Sequence, residues 1–246
     1  MDKKTICIIA SILVVLIIAG IIAMINVFGK MKSTSDDKNV DKKVSNSIKN
    51  ENSESNVEKK NPILTICVKD YGEMKFELYY DDAPESVKLI VALASNHYYD
   101  GAKFHRIIKD FMAQGGSRTD KSGPTLEDLG IEGDNRLYSI KGEFSNNNIK
   151  NDIKIKKGTI ALARTSAPDS ASAQFFIMTS NKEVSSIRGR YAAFGQLLEG
   201  EDVLDKLNVV KTTGAENSTP VDDITIEKVT VETFGVTYDL PNYIVK

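Results

Sequence analysis

The chain opens with a long apolar run, passes through a polar stretch, and then settles into alternating patterns that continue to the end. From Ile6 to Phe28 nearly every residue is apolar, with Ser11, Gly20 and Asn26 as uncharged interruptions. At ~1.5 Å of rise per residue, about 20 such residues span a bilayer's hydrocarbon layer, so residues 1–30 are expected to form a transmembrane anchor. A cleavable signal peptide has a shorter apolar region and a small-residue cleavage pattern, which this run lacks. A lipoprotein signal would need a cysteine after Gly20, where Ile21 stands. Residues 31–61 are rich in Ser, Asn, Lys, Asp and Glu and bury too little apolar surface to offset chain entropy. They are expected to be a flexible linker, with a root-mean-square reach of roughly 30 Å for about 29 coil residues.

From Pro62 onward the pattern is that of a folded domain, 62–246. Ile63–Lys69 and Met74–Tyr79 alternate with period two around Asp70-Tyr71-Gly72, which predicts a β-hairpin. Asp82-Ala83-Pro84-Glu85 has the composition of a helix start, with Asp82 as cap and Pro84 in the first turn. Val87, Ile90, Val91 and Ala94 then mark an apolar helical face ending near Asn96. Further strands are predicted at Gly158–Ala163, Gln174–Thr179, Tyr191–Leu197 and Ile224–Thr233, with a short helix at Glu201–Leu207. Many strands and two helices point to a mainly β barrel or sandwich with capped ends.

Charge and cysteines narrow the function classes. Thirty-two basic residues against 34 acidic give a net charge of −2, without the clustered basic surface that nucleic-acid binding requires. The two cysteines fall in the apolar run (Cys7) and in a predicted strand (Cys67). No disulfide is expected between them, and with only His97 and His105 for company they form no zinc-ligand spacing. No metal or other cofactor is expected. Lysines after the apolar run outnumber Lys3 and Lys4 before it, which leans toward a cytoplasmic domain. A short basic tail before a first apolar helix is, however, how a signal anchor begins, and an extracytoplasmic domain is the expectation.

The stretch with chemical content is Phe104-His105-Arg106-Ile107-Ile108-Lys109-Asp110-Phe111-Met112-Ala113-Gln114-Gly115-Gly116. One arginine beside Phe, Met and Gln suits a recognition site that is apolar in bulk with a few fixed donors. Composition alone leaves open a core strand ending in a turn, with Arg106 merely solvated.

This stretch resembles the signature of the cyclophilins. Three more blocks follow in the family's order: Gly158–Arg164, Ser172-Ala173-Gln174-Phe175-Phe176-Ile177, and Arg188-Gly189-Arg190-Tyr191-Ala192-Ala193-Phe194-Gly195. The likeness runs from about Ile63 to Thr233. It implies a closed eight-stranded antiparallel barrel with a helix over each open end, and peptidyl-prolyl cis-trans isomerase activity on proline-containing polypeptides. By the same resemblance Arg106 is the catalytic residue. Phe111, Met112, Phe176 and Ile187 form the proline pocket, with Tyr191 on its rim. Gln114 and Gln174 hold the polar framework, the backbone at Ala163 and Arg164 grips the substrate, and His105 supports the strand beside Arg106. A non-catalytic peptide-binding module on the same barrel is the alternative.

Three departures from the family pattern stand out. The aromatic frequent two to three residues before Arg188 is replaced in the neighbourhood of Val184, Ser185 and Ser186, which implies weak inhibition by cyclosporin. The segment from Arg118 to Leu137 carries Glu127, Asp128, Glu132 and Asp134 in place of a Gly/Thr cluster, with consequences for preference beside the proline. Lys88-Leu89-Ile90 stands where Asn-Phe is common, a matter of packing.

Overall fold

The first hairpin shows how the alternating pattern becomes structure. In a computed structural model, which describes residues 60–118 and 123–246, strand β1 (Ile63–Val68) pairs antiparallel with β2 (Gly72–Leu78). Leu64 lies opposite Phe76 and Ile66 opposite Met74, and all of these are buried, because successive strand residues point to opposite faces. The turn closes with Gly72 at φ 127°, a backbone conformation that a side chain would strain.

The remaining main-sheet strands are β3 (Arg106–Ile108), β4 (Met112–Gly115), β6 (Thr159–Leu162), β7 (Phe175–Met178), β8 (Ala193–Glu199) and β11 (Ile226–Glu232). They assemble in the order β11-β1-β2-β8-β6-β7-β4-β3, and every pairing is antiparallel. The sheet curls but its ladder is not closed, which corrects the expected closed barrel. β3 and β11 remain the ends of the ladder, and single bridges through Lys103, to Ser117 and Thr225, stand between them. The reason is that β3 is three residues long. The chain before it reaches β11 through loop hydrogen bonds: Gly101 N–H to the Ile226 carbonyl (2.9 Å) and Ile226 N–H to the Ala102 carbonyl (2.7 Å).

Helix α1 (Pro84–Ser95) packs on β11, burying the predicted Val87, Ile90, Val91 and Ala94 together with Leu89 and Leu93. Its start differs from expectation. Ala83 occupies the cap position with no side-chain cap bond, so Asp82 stands one residue too early for the first N–H groups. The buried carboxylate of Glu143 takes them instead, accepting from Glu85 N–H (2.9 Å), Ser86 N–H (2.8 Å) and Ser86 Oγ (2.6 Å). An anion at a helix N-terminus satisfies orphan donors and complements the dipole. Burial nevertheless pushes the Glu143 carboxyl up, and the bonds from Ser86 and Glu85 only partly oppose it.

Helix α2 (Val184–Ile187) is a single turn that periodicity did not predict. Helix α3 (Glu201–Asn208) matches its predicted place and buries Val203, Leu204 and Leu207 against β2, β3 and β4. Two small ladders complete the fold, β9 (Thr212–Thr213) with β10 (Thr219–Pro220) and β5 (Tyr138–Ile140) with β12 (Tyr243–Val245). Among the described residues no helix is long and apolar enough to cross a membrane. The expected anchor, and the linker up to residue 59, lie outside the described residues.

Candidate active site

Two clusters of buried side chains share the same strands. On β3, β4, β6 and β7, Ile107, Ala113, Ile160, Phe175 and Ile177 belong to the main core. The alternate positions Met112, Ala161, Phe176 and Met178 join Ile187, Ala193 and Ile155 in a second cluster, with Phe111, Tyr191, Ile108 and Ala163 packed against it. Cross-strand register makes this second face continuous. Arg106 pairs with Gln114, Gln114 with Phe176, and Phe176 with Ala161. Directly opposed residues of a ladder project to the same side. The guanidinium, the amide and the aromatic ring therefore stand in one row across three adjacent strands.

Each member of the row has defined partners. Gln114 Nε2 donates to Gln174 Oε1 at 2.9 Å, tying the middle of the row to the strand entry of β7. Arg106 is half-buried, and its Nη2 reaches Glu216 Oε2 at 3.3 Å. That glutamate, in the loop between β9 and β10, was invisible to sequence reading because 110 residues separate the pair. The same loop accepts the Ile107 N–H at the Ser218 carbonyl (2.7 Å), which seats β3 against it. His105 is one residue out of phase with Arg106 and stands outside the row. Partial covering of its ring pushes the imidazole below its ordinary value; the Lys103 carbonyl opposes this and Arg106 adds to it.

Phe111, Met112, Phe176, Ile187 and Tyr191 all gather in the second cluster. Tyr191 meets Phe176 edge-on, with centroids 5.3 Å apart and planes at 87°. A hollow of 440 Å³ opens here, lined by Ile108, Phe111, Ile187 and Tyr191 with a polar margin that includes Lys109, Lys182, Glu183 and Ser186. Ser186 belongs to the neighbourhood of Val184, Ser185 and Ser186 that replaces the aromatic frequent in the cyclophilin pattern. Lys182 pairs with Asp110 at 2.7 Å across this margin and, with Asn208, holds that carboxyl below its usual range. A wider hollow of 620 Å³ over Ile131–Arg136 contains none of the motif residues. Its Asp134 is occupied by Arg136, which lowers the carboxyl to about 2.

The far wall is β6 and the loop after it. Ala163 N–H already donates to the Gln174 carbonyl (2.9 Å), so the carbonyl is what Ala163 has left to offer an extended peptide. The Arg164 side chain turns to Tyr191 and Phe144, with its Cζ 4.7 Å and 5.0 Å from their ring centroids. The acidic segment 127–134 is partly consumed in local structure. Asp128 closes a capping box with Thr125 at the start of a 3₁₀ turn and pairs with Arg118 at 3.8 Å.

Comparison with known proteins places the chain. Residues 63–231 match the family model for cyclophilin type peptidyl-prolyl cis-trans isomerases. Peptidyl-prolyl cis-trans isomerase B of Escherichia coli is 34% identical over 169 residues, covering 65% of this chain and 94% of that protein. A Streptomyces antibioticus peptidyl-prolyl cis-trans isomerase is 35% identical over 164 residues, covering 63% of this chain and 90% of its own length. Among solved structures, a Cryptosporidium parvum cyclophilin type isomerase, crystallised in the presence of the dipeptide Ala-Pro, aligns with a TM-score of 0.57. It is 28% identical and covers 69% of this chain and 98% of that one. The chain belongs to the cyclophilin type of peptidyl-prolyl cis-trans isomerase, enzymes that speed the cis-trans rotation of peptide bonds preceding proline.

Proposed function

We propose that the row from Arg106 through Gln114 to Phe176, with the hollow beside it, is where this chain grips and rotates an Xaa-Pro bond. The observation that carries the reading is the register, which puts a cationic donor, an amide and an apolar ring on one face. Uncatalysed rotation is slow because it breaks amide resonance, at a cost of about 18–20 kcal/mol. No covalent bond forms or breaks, so the site needs neither nucleophile nor metal. Rotation leaves a localised lone pair on the prolyl nitrogen, and the Arg106 guanidinium donates to it. One charge-assisted hydrogen bond contributes about 1.5–3 kcal/mol. Shortening tens of seconds to milliseconds requires about 5–6 kcal/mol. The apolar pocket of Phe111, Met112, Phe176 and Ile187, rimmed by Tyr191, supplies the remainder by holding the proline ring while the upstream carbonyl swings. The backbone at Ala163 and Arg164 anchors the peptide, the Gln114–Gln174 pair keeps the framework rigid, and His105 steadies the strand beside Arg106.

The substrates in this reading are proline-containing polypeptides, and the setting is the outer face of a membrane. The apolar run Ile6–Phe28 supports a tether, and an extracytoplasmic tethered isomerase would help secreted or cell-surface proteins past slow prolyl steps. Two experiments test this. NMR exchange on an Ala-Ala-Pro-Phe peptide should show faster cis-trans interconversion with the protein present, and no acceleration would defeat the catalytic assignment. Protease added to intact cells should cleave the domain, whereas full protection would put it on the cytoplasmic side. Ser186 at the margin of the hollow supports weak inhibition by cyclosporin, checked by titrating the same exchange assay.

A further inference from the structure

Arg164 brings together three segments of the site. Its Nε donates to the Arg190 carbonyl at 2.8 Å, and its Nη1 donates to the carbonyls of Thr165 (2.8 Å) and Ser166 (3.4 Å). Its guanidinium stands over the rings of Tyr191 and Phe144, within the range where a cation is attracted to an aromatic face. Phe144 is itself buried, so one of these rings is a fixed wall. Tyr191 is half-exposed and leans its edge on Phe176. Backbone bonds already join the segments without Arg164. Asn146 N–H donates to the Gly189 carbonyl (2.9 Å), and Leu162 N–H donates to the Ala192 carbonyl (2.9 Å). What the side chain adds to these is its own carbonyl bonds and its contact with the Tyr191 ring.

We infer that the Arg164 side chain is a positioning residue: wedged between the fixed Phe144 ring and Tyr191, it sets the angle at which Tyr191 rims the proline pocket. This rests on reading the Phe111–Ile187–Tyr191 hollow as that pocket. A planar cation is required, because it must offer a face to the rings while its edge donors reach three carbonyls. A lysine ammonium has no such face. The consequence falls on how well the proline ring is held, while the bond to the prolyl nitrogen stays with Arg106. Substitution should thus raise KM and leave kcat nearly unchanged.

The test is a double-mutant cycle on the full chain, with exchange kinetics on Ala-Ala-Pro-Phe resolved into kcat and KM. R164M is expected to raise KM about three- to tenfold, with kcat within about twofold of wild type. R164K should recover only part of that loss. In a Y191L background, R164M should change KM by less than about 1.5-fold, because the ring it orients is gone. Wild-type KM in R164M, a fall in kcat at constant KM, or an undiminished penalty in Y191L would each overturn the inference. If R164M does not fold, the same cycle with R164K decides it by the same criteria. A wild-type protein that does not accelerate exchange would sink the isomerase site and this inference with it. An active wild type with an additive cycle would sink this inference alone.

Discussion

Phe175 and Phe176 are adjacent on β7, chemically identical and almost equally buried, at 2% and 4% exposure, yet they serve different ends. Phe175 points into the main core, edge-on to Tyr99 (5.7 Å) and Phe104 (6.0 Å). Phe176 points to the other face, against Tyr191 and in register with Gln114. A two-residue period lets one strand contribute to the main core and to the candidate site at once. It also makes register decisive, since a slip of one residue would exchange the two faces. Stability and recognition should therefore separate cleanly when neighbouring residues are changed.

The strongest test of that separation is Phe175→Ala. Truncating a core phenylalanine costs about 3–5 kcal/mol, which at ~2–4 °C per kcal/mol lowers Tm by roughly 10 °C. The folded fraction should keep its kcat/KM, and a large loss of specific activity at low temperature would break the comparison. Arg106→Ala is the converse. It should lower kcat/KM about 10- to 100-fold while Tm, followed by circular dichroism, moves by less than about 2 °C. Phe176→Leu keeps most of the volume, so Tm should fall by less than about 4 °C, while KM for Ala-Ala-Pro-Phe rises about five- to tenfold.

Glu143 and Glu216 extend the comparison to charges. Glu143 is buried under the helix start and should matter to stability alone, with Glu143→Gln costing about 1–2 kcal/mol near neutral pH. Because burial raises its folded-state pKa, its ionised form is less favoured in the fold than in the open chain. The stability of wild type relative to Glu143→Gln should therefore decline as pH rises from below the ordinary value of 4.5 through the raised one. Melting curves between these limits check the sign, and a wild type gaining on the variant as pH rises would contradict it. Glu216 is 70% exposed and touches Arg106 from outside. Exposed pairs are worth about 0–1 kcal/mol and are screened by salt. Glu216→Gln should change kcat/KM by less than about fivefold, and the difference should vanish in about 1 M salt.

Much of the fold was legible in the chain because its signals are local. The hairpin Ile63–Tyr79, the apolar face of α1, the strands around 158–163, 174–179 and 191–197, and helix α3 all follow from side-chain period and turn residues. Long-range features were not legible. Asp82 had the right chemistry for a cap, but Glu143, 57 residues beyond Ser86, took its place. The pairing of β5 with β12 carried no signal in either three-residue segment. Strand closure could not be read either, because whether Lys103 makes single bridges or pairs continuously depends on where β3 begins.

The candidate site divides along the same line. The types of residue it needs, one arginine among Phe, Met, Gln and Tyr, are spelled in short ordered blocks, and local order is something a linear chain can carry. Their convergence is not linear. Arg106, Gln114 and Phe176 share a face because two antiparallel registers align, and Ile187, from helix α2, and Tyr191, just after it, pack against the same cluster. The sequence by itself determined the first hairpin, helices α1 and α3 and the longer strands, and what chemistry they bring, since backbone preference and alternation act over a few residues. The tertiary structure alone decided which charges meet. Glu143 reached the helix start, Glu216 reached Arg106, and Arg164 turned its guanidinium to Tyr191, because hydrogen-bond and cation–π partners are chosen by distance in space.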